Sequence, residues 1–172
     1  MQQLLGLKDL LQEQIRDLYD AEVHYVNILP NLIRTATSAE LADQLRTIAI
    51  QTQQNVTHLV HICTSLGVPP EGVTCQAMDG LIREAKSTTQ DWGDTATIDA
   101  ALIANAQRIV HYEIAGFGTT REFATCCGKK ESAQILGEML SQAVENDKAL
   151  SRIATGGWLS AGINAEAVKA NV

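Results

Sequence analysis

Apolar residues recur along the first stretch of the chain, from about Leu4 to Arg34, at Leu11, Ile15, Leu18, Tyr25, Leu29 and Leu32. Steps alternating between four and three residues mark one face of an amphipathic helix. Pro30 lies inside this pattern. Its missing donor and its clash one turn back predict a kink near Val26 to Leu29. Thr37-Ser38-Ala39-Glu40 reads as a capping box opening a second helix to about Leu66, with the stripe Leu41, Leu45, Ile48, Leu59, Ile62 and Leu66. Gly67 and then Pro69-Pro70 stop that helix. Residues 67 to about 96 form a long connection with one short helix near Cys75 to Lys86. A third helix is predicted from about Ile98 to Cys126, with Leu102, Ala106, Ile109, Gly116 and Phe123 inward, ended by Gly128. A fourth runs from about Glu131 to Thr155, with Ile135, Met139, Leu150 and Ile153 inward. Gly156-Gly157 ends it, leaving a tail to Val172 in which Trp158 and Leu159 are expected to fold back on the helices.

Two helix hairpins joined by one long crossover is the connectivity of ferritin-like bundles. The predicted fold is therefore all-α: an antiparallel four-helix bundle whose crossover carries a short fifth helix. It forms a single domain over residues 1–172, with the bundle over about 4–155 and a tail over 156–172.

Composition agrees with this reading. Only three prolines occur, too few for the frequent turns of a sandwich or barrel, and aromatics are 4%, so Leu, Ile, Val and Ala must build the core. A net charge of −7 argues against nucleic acid as a partner, since phosphate binding needs a basic face. Neither a basic n-region nor an apolar run of the ~18 residues that span a bilayer is present, so a cytoplasmic protein without membrane attachment is expected. Cys63, Cys75, Cys126 and Cys127 form no C-x-x-C pair and read as reduced, partly buried thiols. Val23, Ile28, Val56, Val60, Ile103, Val110 and Ile114 lie off the main stripes and belong either to the core or to a subunit interface.

Polar residues interrupt each stripe. The series through Leu18 and Tyr25 places Glu22 on the buried face, and the series through Ile109 and Gly116 does the same for Glu113. A carboxylate in an apolar core costs several kcal/mol unless it is protonated, paired or bound to a metal. The second helix brings Thr52 and Asn55 to its stripe beside Gln51 and Gln54; the fourth brings Gln142 and Asn146 beside Glu145 and Asp147. All four helices thus place polar groups at about one level. Ferritin-like dimetal sites take one Glu from each of two helices and a Glu-x-x-His motif from each of the others. Here the lone Glu positions are filled, while amides and a threonine stand where the Glu-x-x-His motifs belong. Of the histidines, His58 lies one turn beyond Asn55 and is best placed to reach inward, whereas His24 and His111 sit two positions from a Glu and point away from it.

Leu10-Leu11 to Arg16-Asp17-Leu18-Tyr19-Asp20-Ala21-Glu22, Leu29-Pro30, Cys75 to Ile82, and Ala106-Gln107-Arg108 followed by His111 to Thr119 resemble the YciE/YciF family of bacterial ferritin-like proteins. The resemblance extends to about Ala154 and implies a cytosolic, commonly dimeric protein linked to stress responses, with no established enzymatic activity. In it Glu22 and Glu113 match carboxylates that look like metal ligands. The family usually carries Glu-Thr where this chain has Gln51-Thr52, Gln where it has Asn55, and paired Glu where it has Gln142 and Ala143, while Asp147 is retained. Two expectations arise. One is a non-catalytic homodimer whose buried carboxyls are protonated or bonded to Gln51, Asn55, Gln142 and Asn146. The other is a carboxylate protein or oxidoreductase binding Fe or Mn through Glu22 and Glu113, with Asn55, His58, Gln142, Asn146, Glu145 or Asp147 as weaker ligands.

Overall fold

The computed structural model describes residues 5–158 and 160–169. Helix α1 spans Leu7–Thr35, running unbroken through Pro30, and α2 spans Ala39–Leu66. The crossover carries α3, Gln76–Thr88; beyond it lie α4, Thr95–Cys126, and α5, Lys130–Thr155. The predicted helices stand, with ends displaced by a few residues. The segment beyond Thr155 is more than a tail. Strands β1 (Gly156–Gly157) and β2 (Ser160–Ala161) pair antiparallel, and α6 (Ile163–Lys169) packs against α4 and α5. Trp158, at the turn of this hairpin, is 98% exposed and does not fold back on the bundle. Leu159 lies outside the described residues.

The core is a continuous aliphatic column of Leu and Ile from all four long helices, with Tyr25 and Phe117 as its large fully buried rings. Fully burying each Leu or Ile contributes roughly 1.5–3 kcal/mol. The inward series of α4 departs from the predicted one. Phe117 and Ala124 are buried, whereas Gly116 and Phe123 sit at the edge. In α5, likewise, Leu136 replaces Ile135 in the core. A straight helix with 3.6 residues per turn drifts about 20° per heptad against a strict four–three stripe. Over the 32 residues of α4 that drift moves the buried face by one position.

Two local devices set the helices in place. Ser38, not the expected Thr37, caps α2, its side chain accepting from Leu41 N–H at 3.3 Å. Thr37 instead joins a clasp around Asp99 of α4. That buried carboxylate accepts from Thr37 N–H (2.9 Å), Thr37 O–H (2.7 Å) and Ser38 N–H (2.8 Å). The start of α4 is thereby fixed beside the turn between α1 and α2, so α4 runs antiparallel to α1. Further along, a Cβ added to Gly116 would lie 2.6 Å from Leu18 Cδ2. The absence of that carbon leaves room for the Leu18 side chain one turn from Glu22 and Glu113.

Candidate functional site: a buried carboxyl pair

Glu22 of α1 is fully buried, and Glu113 of α4 is 3% exposed. Their carboxyl groups lie within hydrogen-bonding reach of each other. Asn55 of α2 donates from Nδ2 to Glu22 Oε2 at 3.0 Å. Among the described residues no Lys, Arg or His forms an ion pair with either carboxyl. Two buried like charges without a counter-charge cannot both persist, because burial and mutual repulsion each favour a neutral form. Burial raises Glu22 to about 7, against the smaller stabilising effect of hydrogen bonds from Glu113 and Asn55. Glu113 is pushed well above the usual carboxyl range by burial and then by the charge of Glu22. Both carboxyls are thereby shifted toward the neutral form, and they titrate as a pair.

Several buried oxygen atoms of the core have no protein partner: Glu22 Oε1, Asn55 Oδ1 and Tyr25 Oη, and also Gln142 Oε1 and Thr120 Oγ1. Burial raises the Tyr25 phenol well above its ordinary value, with the charges of Glu113 and Glu22 adding to the effect, so the ring remains neutral. Thr52, although buried, donates to Ile48 O of its own helix at 2.9 Å and is not part of the layer.

The remaining sequence candidates are distributed differently from the single level expected. Asn146 bonds to no carboxyl: it donates to Gln51 Oε1 at 2.8 Å and accepts from Gln44 Nε2 at 3.0 Å, forming an amide clasp between α2 and α5. His58 is exposed and does not reach inward. The step of three from Asn55 turns it past the edge of a stripe that continues at Leu59. Glu145 is exposed beside Lys148 at 2.8 Å, while Asp147 accepts from Gln107 at 2.9 Å and lies 3.2 Å from exposed His111. Tyr25 and Thr120 are the residues that stripe reading undervalues. Both fall on the inward series, which registers their positions and passes over their hydroxyls.

A dinuclear centre requires carboxylates from all four helices and imidazoles from two. Two carboxyls on α1 and α4, facing amides on α2 and α5, do not supply that donor set. Among the described residues no three His, Cys, Asp or Glu side chains converge as a cation site.

A second buried polar group joins the crossover to the bundle. Tyr112 O–H donates to Asp17 Oδ2 at 2.6 Å, leaving its oxygen to accept from the Cys75 thiol at 2.9 Å. Asp20 Oδ2 accepts from Cys75 N–H at 2.8 Å. Burial raises the thiols of Cys75 and of Cys63, the latter to about 11, so both stay protonated.

The model of the family described as a domain of unknown function, DUF892, matches residues 6–167. The chain belongs to that family. Protein YciF of Escherichia coli K12 is 29% identical over 149 residues, 86% of this chain and 90% of YciF. The crystal structure of that E. coli stress protein superposes with a TM-score of 0.82 at 28% identity, covering 86% of this chain and 94% of YciF. YcfI of Rhodopseudomonas palustris, proposed to be a structural protein, superposes with a TM-score of 0.84 at 35% identity, covering 89% of this chain and 98% of YcfI. Both likenesses cover most of the chain, so the YciE/YciF resemblance and the all-α ferritin-like bundle hold for this DUF892 chain.

Proposed function

We propose that this chain is a YciF-type, stress-associated protein that acts as a non-catalytic cytoplasmic homodimer, and that its central polar layer is structural. The observation that carries this reading is the composition of the layer: two buried carboxyls raised toward their neutral form, one of them held by Asn55, with amides on the two remaining helices. A buried polar contact such as that of Asn55 with Glu22 fixes helix register, as a single buried Asn does in coiled coils. The likeness to the E. coli stress protein supports the stress association.

A second reading, an Fe or Mn site built on Glu22 and Glu113, draws support from one feature. Glu22 Oε1, Asn55 Oδ1 and Gln142 Oε1 are acceptors that face no protein donor, and a hard cation favours such an oxygen-rich surrounding. Elemental analysis of protein purified without chelator, before and after aerobic addition of Fe(II), separates the two. The structural layer predicts well under one ion per chain and no iron oxidation faster than buffer. Stoichiometric metal that is lost in Glu22→Gln, Glu113→Gln would overturn it.

A further inference from the structure

Helices α1 and α3 lie side by side, in the same direction and in register. Asp20 of α1 accepts from Cys75 N–H at 2.8 Å, and one turn further along both chains His24 Nδ1 lies 3.1 Å from Asp79 Oδ1. The ladder continues on each helix by a step of three and then of four. Asn27 and Asn31 of α1 face Ile82 and Lys86 of α3 across a groove of about 300 Å³, with His24 and Asp79 at its near end. Buried Ile28 and half-buried Ile82 give it an apolar floor.

The polar groups of this groove are little used by the protein itself. Asn costs helix stability relative to Ala, because its short amide competes with the backbone for hydrogen bonds. Helix α1 nevertheless sets two of them one turn apart on one face. Among the described residues, the Asn27 amide has no hydrogen-bond partner and Lys86 forms no ion pair. Asn31 accepts from Arg34 through Oδ1, which leaves its Nδ2 without an acceptor. The two ends differ in charge. Asp79 and Asp20 stand at one, 3.1 and 4.0 Å from His24 Nδ1, and the Lys86 ammonium stands at the other.

We infer that the groove between α1 and α3 binds a short peptide in extended form, its amino end toward Asp79 and its carboxyl end toward Lys86. A side-chain amide offers donors and an acceptor, the complement of a peptide group. Four helical residues rise about 6 Å, so Asn27 and Asn31 repeat at nearly the spacing of every second residue in an extended chain, about 6.6 Å. Three extended residues span about 10 Å, as do the seven steps from His24 to Asn31. A polyamine would set a like charge against Lys86, and a simple anion would meet the carboxylates of Asp79 and Asp20. A ligand with both charges and peptide groups between them uses each of these atoms. The volume lies at the low end for small-ligand sites, which restricts the peptide to small side chains.

The site is separate from the central carboxyl pair, and its test leaves that layer intact. Amide NMR spectra of the full, isotope-labelled chain near neutral pH, titrated with tri-alanine to about 20 mM, supply the readout. Saturable shifts are expected within residues 24–31 and 79–86, with a dissociation constant in the millimolar range, because few contacts offset the lost freedom of the ligand. Lys86→Glu and Asn27→Ala/Asn31→Ala change side chains at the surface, and each should weaken binding at least about threefold, with circular dichroism confirming the fold. Acetylated tri-alanine amide, which lacks both charges, should bind the wild type more weakly than tri-alanine does. No shift up to the highest concentration, shifts confined to other residues, or binding unchanged in both variants would overturn the inference. So would acetate or spermidine moving the same amides at concentrations as low as tri-alanine requires, because the groove would then be a site for an anion or a cation alone.

Discussion

Glu22 and Glu113 make the stability of the bundle depend on pH in an unusual direction. Both carboxyls are raised in the folded state by burial, Glu22 to about 7 and Glu113 further, from ordinary values near 4.5. Between those limits the folded chain binds more protons than the unfolded chain, so unfolding free energy falls as pH rises. Each excess proton gives a slope of about 1.4 kcal/mol per pH unit. Thermal melts should therefore show the midpoint falling from pH 5 through pH 7 and beyond, with a flatter profile in Glu113→Gln, which keeps a neutral donor toward Glu22. A midpoint that climbs over this range in the wild type would mean the carboxyls are stabilised as anions. The two acids themselves are legible in the sequence, since the spacing of Leu18, Tyr25 and Leu29 leaves Glu22 nowhere else to point. Their nearness to each other is not, because it depends on how α1 is set against α4 in three dimensions, where a Cβ on Gly116 would meet Leu18.

Among the elements, the turn between α1 and α2 is held by a residue far from it in sequence. Asp99 receives three hydrogen bonds from Thr37 and Ser38, and places a negative charge at the positive end of α2. Asp99→Ala leaves two backbone donors without acceptors in a partly buried turn. It should cost about 3 kcal/mol in urea unfolding, and Asp99→Asn should recover part of that. A loss within the error of the measurement would mean that Ser38 alone suffices as a cap. The helices can be read from periodicity because each buries one stripe. The clasp cannot, because a capping box seen in sequence offers only local partners, and Thr37-Ser38-Ala39-Glu40 satisfies that pattern while its threonine hydroxyl is committed to α4. The same limit explains the end of the chain. Gly156-Gly157 reads as a stop, and nothing nearby announces that α6 will pack on α4 and α5.

Over the whole molecule, the connectivity of two hairpins and a crossover is enough to give the bundle, and the match across residues 6–167 agrees with it. No helix among the described residues is long and apolar enough to cross a membrane. The polar layer lies between the two hairpins: Glu22 and Asn55 come from one, Glu113 and Gln142 from the other. It therefore reports on the assembly of the complete bundle. In the function proposed above a proton, in place of metal ions, balances this layer, and infrared spectroscopy of the carboxyl stretch near pH 6 is the sharpest check. A protonated-carboxyl band is expected at a pH where ordinary Asp and Glu are ionised, present in chelator-treated wild type and absent in Glu113→Gln. A spectrum showing only ionised carboxylates at that pH would refute that proton, because the two buried charges would then require a cation.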